Sequence, residues 1–239
     1  MYHKIPTKTE DLEEFSLEYG ESRLNVLADR DMREEAQTEL VRRYNKLEDY
    51  IRKDPFFLTT YEPLEVDANA PEIVMMMTEA SHIAGVGPMA TVAGTFSELI
   101  GEFLLENNCT EVIAENGGDI YLKVKGERTV GIYAGTSPLS GRFAFKINAG
   151  ETPIGVCTSS GTVGHSISLG ESDSVTVVAE SCSLADAAAT SIGNQVRGTD
   201  PLDKGIMKAK SIKGINGAVI IKEGDMVLWG KLPEIVEIL

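Results

Sequence analysis

The 239-residue sequence predicts an α+β fold, mainly antiparallel sheet packed against helices, on three observations. Runs of strand length outnumber helical ones and do not alternate with them in βαβ order, so a parallel sheet lacks the crossovers to join it. Several of those runs are paired across short glycine-bearing turns, the usual connection between antiparallel neighbours. Apolar side chains make up 42% of the chain, enough for a sizeable core, and the reading is of one domain over 1–239.

Phe15, Leu17 and Tyr19 alternate before Gly20, and Leu24 and Val26 after it, which predicts a hairpin over 14–28. Asp31 is placed to cap a helix with Glu34 at the capping-box position and apolar residues at Ala36, Leu40, Leu47 and Ile51; Asp54-Pro55 ends it. Residues 56–69 show no period and read as a connecting loop or an irregular edge strand. From Pro71 a helix turns Ile73, Val74, Met76, Met77, Ala80 and Ala84 toward the core, with His82 in its last turn as either a dipole partner or a ligand.

Gly85 and Gly87 then break the chain, and Pro88 opens a second helix running to about Leu105. A dinucleotide fingerprint needs a strand before its glycines, and here a helix precedes them. Ala90, Ala93 and Gly94 suit close packing against another helix or a flat ligand, and the N–H groups at this helix start suit a phosphate. Strands follow over 111–114 and 120–124 around the turn Asn116-Gly117-Gly118-Asp119, then over 129–134 and 142–147. A strand over 154–157 leads into a hydroxyl-rich loop, Thr158-Ser159-Ser160-Gly161, read as a phosphate cradle or a solvent turn.

After a strand over 175–179, Ser183 is the expected N-cap of a helix of small residues. Asp186 and Thr190 lie four apart in it, so a carboxylate and a hydroxyl share one face with room for a hard cation between them. A basic segment over 201–210 and a hairpin of 217–221 with 225–229 complete the chain; Trp229 belongs to the core or an interface.

The chain carries 37 acidic against 22 basic side chains, a net charge of −15. That balance argues against nucleic-acid and anionic-membrane binding, both of which rest on Lys and Arg. No run reaches the roughly 18 apolar residues of a membrane span, and the first residues lack the pattern of a signal peptide. A cytoplasmic location is expected. Oligomeric state is left open, and a homo-oligomer is compatible with the sequence. Cys109, Cys157 and Cys182 are odd in number and lack a CxxC spacing, so neither a disulfide framework nor a zinc site is expected.

Three motifs in order, G-V-G-P-M-A-T-V-A-G at 85–94, E-N-G-G-D-I at 115–120 and S-L-A-D-A-A-A-T at 183–190, resemble the ApbE superfamily of flavin transferases. The likeness is closest to a cytoplasmic, functionally uncharacterised branch in archaea and some bacteria. It covers roughly 71–230, and the segment 1–70 is the least family-like. The resemblance implies a two-layer, T-fold-like arrangement and transfer of the FMN half of FAD to a protein hydroxyl, with AMP leaving. It implies Mg²⁺ held by Asp186 and Thr190, and a flavin site lined by Asn116, Gly117, Gly118 and Asp119. Thr158, Ser159, Ser160 and Gly161 would approach the diphosphate, with His165 beside them as proton carrier or phosphate donor. Partners would be a flavin nucleotide, FAD or FMN, and an acceptor protein.

One departure bears on activity. Family transferases commonly continue their histidine as H-x-x-D-P, whereas this chain reads His165-Ser166-Ile167-Ser168-Leu169. Two other readings therefore stand beside transfer. One is a flavin- or nucleotide-binding accessory protein without turnover; the other is sulfur or redox chemistry at Cys157 and Cys182, which in sequence flank the proposed site.

Overall fold

The computed structural model describes residues 11–160 and 170–238. The first hairpin pairs β1 (Glu13–Tyr19) with β2 (Ser22–Ala28), and its inward positions Phe15, Leu17, Leu24 and Val26 are buried as the alternation requires. Helix α1 (Arg33–Lys53) starts two residues later than its expected cap: Met32 holds the cap position, and the Asp31 carboxylate accepts the Arg33 N–H at 3.1 Å. The stretch that shows no period contains one helical turn, α2 (Phe56–Thr59), which the Asp54 carboxylate starts and the buried Phe57 anchors.

Helix α3 (Glu72–Ala84) stops at Gly85, whose φ of 73° permits the left-handed closure. After a short 3₁₀ turn at Pro88–Thr91 the chain bends by 100° into α4 (Val92–Glu106). Then come β3 (Val112–Asn116), β4 (Asp119–Lys123), β5 (Arg128–Gly131), β6 (Phe143–Ile147), β7 (Ile154–Ser159) and β8 (Ser174–Ala179). Helices α5 (Cys182–Gly193) and α6 (Pro201–Ser211) precede β9 (Ile215–Lys222), β10 (Asp225–Gly230) and β11 (Glu234–Glu237).

Among the described residues, eight strands form one sheet in the order β1-β2-β3-β4-β7-β8-β9-β10, and every neighbouring pair is antiparallel. The helices cover one face: α1, α3 and α4 pack over the β1–β3 end, and α5 and α6 over β7–β9. The other face is closed by a second sheet, β11-β6-β5, through Phe145, Ile147, Val130 and Ile132. That sheet adds a third layer to the two the family likeness implies. Every residue of α5 is buried, and its alanines let it lie close to both the sheet and α4. A methyl group at Gly155 of β7 would stand 2.4 Å from Cys182 Cα, so only glycine admits the helix there.

Candidate functional site

Helix α5 is seated by two contacts with α4. The Gly94 N–H donates to Asp186 Oδ2 at 2.9 Å, and a methyl group at Gly94 would come within 2.7 Å of Asp186 Cβ and 2.6 Å of the Cys182 carbonyl oxygen. The N–H groups expected to meet a phosphate thus meet a carboxylate of this chain at Gly94. At the other contact, Ser181 is the N-cap, receiving the Leu184 N–H at 3.2 Å. Ser183, the expected cap, lies inside the helix, because its N–H and hydroxyl both go to Glu98 of α4 at 2.8 and 2.6 Å.

Asp186 faces a second buried carboxylate. Asp119 leads β4 from the glycine turn and receives the Thr158 N–H at 3.3 Å; beside it in the ladder, the Cys157 thiol donates to the Cys182 carbonyl at 3.3 Å. Burial pushes the Asp119 pKa up to about 7. Burial raises Asp186 well above the usual carboxylate range, the Asp119 charge raises it further, and the Gly94 and Ala93 N–H groups oppose both. Asp186 and Thr190 keep 8% and 9% of their surface exposed, so neither is sealed in hydrocarbon. Among the described residues no three His, Cys, Asp or Glu side chains converge on a metal-sized space. A carboxylate and a hydroxyl remain, a set that suits a hard cation whose other ligands are water and phosphate.

Around this pair the polar groups divide between the faces of the sheet. Asn116 lies on the helix face, its side-chain oxygen receiving the Arg23 N–H at 3.3 Å and its amide reaching the Ala93 carbonyl at 3.5 Å. The Asp119 carbonyl accepts the Ser97 hydroxyl at 2.8 Å. Gly117 and Gly118 turn at φ of 66° and 107° and border open space. Ser159 follows Cys157 on the helix face, and its buried hydroxyl has no partner among the described residues. Cys157 and Cys182 touch, Sγ to Sγ at 3.4 Å, both fully buried. Burial pushes the Cys182 thiol up to about 11 and Cys157 well above its ordinary value, the reverse of thiolate activation.

A family model described as AbpE bacteria matches residues 5–227. The chain belongs to this ApbE-like family. The family match includes most of 1–70, the part least family-like by motif. A UPF0280 protein of Methanococcus maripaludis is 49% identical over 206 residues, which cover 84% of this chain and 83% of that one. The flavinyl transferase ApbE of Pseudomonas stutzeri, in its apo form, superposes with a TM-score of 0.61 at 14% identity, covering 92% of this chain and 94% of that one. The flavin transferase ApbE of Vibrio cholerae gives 0.60 at 15% identity, covering 95% and 98%. These two likenesses establish the shared ApbE fold.

Of the residues carried over from the family, the structure brings Asn116, Asp119, Thr158 and Asp186 to the same end of the sheet, with the Gly117-Gly118 turn beside them. Thr190 stands one turn beyond Asp186. Thr158 and Ser159 do not form a loop: they are the last residues of β7, and the Thr158 hydroxyl turns to the opposite face to meet Thr176 Oγ1 at 2.9 Å. A β-branched hydroxyl pair is well suited to adjacent strands, which is why this stretch extends the ladder. Ser160 follows the strand; Gly161 and His165 lie outside the described residues. His82, on α3, is exposed and 3.5 Å from Glu65, away from the site residues. Sequence reasoning missed Glu98, visible only as a member of an amphipathic run, and gave no role to Glu115, the first residue of the 115–120 motif.

Proposed function

We propose that the chain binds a flavin nucleotide, FAD in preference, with Mg²⁺ at the end of the sheet where Asp119 and Asp186 meet, and transfers the FMN moiety to a protein hydroxyl. The observation that carries this reading is the buried carboxylate pair. Two buried carboxyls, both raised by burial and Asp186 further by the Asp119 charge, beside an open glycine turn are relieved by a divalent cation, and Asp186 with Thr190 would hold it. Bound there, Mg²⁺ would neutralise diphosphate charge. The Ser159 hydroxyl, without a partner among the described residues, offers the nucleotide a donor, and the open space over Gly117 and Gly118 leaves room for it.

In the transfer, the acceptor oxygen bonds to the FMN phosphorus, the bond from that phosphorus to the bridging oxygen breaks, and AMP leaves with that oxygen. The acceptor proton passes to solvent or to His165. Incubating the protein with FAD and Mg²⁺ should release AMP and leave flavin attached to a hydroxyl-bearing acceptor protein. Asp186→Ala should reduce AMP release at least a hundredfold, with most of the fold retained by circular dichroism. Tight FAD binding with no AMP in the presence of candidate acceptors selects the accessory-protein reading, which the missing Asp and Pro after His165 favour.

A further inference from the structure

We propose that Glu98 is a positioning residue for Asp186, setting how far along α4 the α5 helix sits and so where its carboxylate is held. The proposal rests on the cation site above for its functional consequence. Glu98 is buried in the middle of α4, and one oxygen, Oε2, receives three donors: the Ser183 N–H at 2.8 Å, the Ser183 hydroxyl at 2.6 Å and the Ser181 hydroxyl at 3.1 Å. One turn earlier on α4, Gly94 donates to Asp186, which stands three residues beyond Ser183 on α5. Together the contacts form a two-point clasp between helices running in opposite senses.

The spacing makes the clasp selective for register. Slipping α5 by one residue moves every side chain by about 1.5 Å along the axis and about 100° around it. Asp186 would then leave the Gly94 N–H and turn from Asp119. The alanines of α5 offer little resistance to such a slip, because small side chains make shallow ridges. A polar tie at the helix start supplies what their packing lacks. The tie needs an oxygen at that point more than a charge, since all three donors reach a single atom.

The test uses the full chain, Mn²⁺ as a spectroscopic stand-in for Mg²⁺, and the ¹³C resonance of the Asp186 carboxyl in the metal-free protein, assigned with Asp186→Asn. Glu98→Ala should move that resonance and weaken Mn²⁺ binding, read by its paramagnetic signal, about tenfold or more. Glu98→Gln presents an amide oxygen to the same donors, so it should leave the resonance in place and binding within about threefold of wild type, the remainder being the lost charge at the helix start. Ser183→Ala removes one bond of the three, keeps the helix, and should give a smaller shift in the same direction.

A Glu98→Ala protein that folds with the wild-type resonance and Mn²⁺ affinity overturns the proposal, as does a Glu98→Gln protein that behaves like Glu98→Ala. If Glu98→Ala fails to fold, Ser183→Ala and Glu98→Gln decide by the same readouts. A wild-type chain that binds no Mn²⁺ overturns the cation site, while the carboxyl resonance still decides whether Glu98 positions Asp186.

Discussion

The two faces of the large sheet bury carboxylates from the same hairpin, and they treat them in opposite ways. Asp119 points to the helix face, where the Thr158 N–H donates to it and Asp186 stands opposite. Glu115, paired with Ile120, points to the sandwich face among Ile113, Leu122 and Val156. There, among the described residues, no hydrogen bond reaches its carboxyl, and burial alone pushes it up to about 7. Similar proton affinities thus arise from different environments. The helix face is a polar assembly; the sandwich face is largely hydrocarbon, with Glu115 and the buried Glu111–Arg128 ion pair set into it.

If that contrast is right, the helix face should be the less tolerant of added volume. Gly94→Ala forces a methyl group to within 2.6 Å of a backbone oxygen in α5, and backbone cannot turn aside as a side chain does. The expected result is a net loss of about 2 to 3 kcal/mol by urea unfolding, after the ~1 kcal/mol that alanine gains over glycine within a helix. Mg²⁺ binding should weaken in parallel as Asp186 is displaced. A stable Gly94→Ala protein with unchanged metal binding would break the picture of a close α4–α5 seat.

Glu115 supplies the matching test of the sandwich face. Its folded pKa lies above the unfolded value, so its protonated form stabilises the fold; that contribution is present below about pH 4.5 and is lost as pH rises through 7. Glu115→Gln should therefore change little near pH 4 and raise stability at pH 8 by about 1 to 2 kcal/mol, measured as the difference in urea midpoint from wild type. The Glu115 charge also raises Asp119, so the difference at pH 8 includes relief of that repulsion, which acts in the same direction. An equal effect at both pH values would mean that Glu115 is solvated, and the contrast between the faces would fail.

Much of this arrangement is legible in the sequence where the controlling chemistry is local. The hairpins at Gly20, Gly117-Gly118 and Gly224 follow from turn residues between alternating runs, and the break at Gly85 from a glycine before a proline. Asp186 and Thr190 share a helix face because they are four apart. What escaped depends on partners distant in the chain. Ser183 is the expected cap until Glu98, more than 80 residues earlier, claims it and Ser181 takes the cap position. The third layer requires β11, four residues long, to pair with β6 some 90 residues before it, and nothing in E-I-V-E marks that pairing. The Thr158-Ser159 hydroxyls suggest a loop until Thr176 appears across the ladder.

That threonine pair gives the smallest and sharpest test of the sandwich face. Thr158 and Thr176 satisfy one another at 2.9 Å at the edge of a layer otherwise rich in valine and isoleucine. Thr176→Val alone strands the Thr158 hydroxyl and should cost about 1 kcal/mol, since a buried polar group without its partner loses its solvation for nothing. Thr158→Val alone should behave alike. The double variant replaces both hydroxyls by methyl groups of the same shape, which a hydrocarbon layer accepts, so its cost should fall below that of either single change. A coupling of about 0.5 to 1 kcal/mol in that cycle identifies the face as apolar at the pair. Strict additivity would mean that solvent or a ligand already reaches these hydroxyls, and the site would then extend through the sheet to both of its faces.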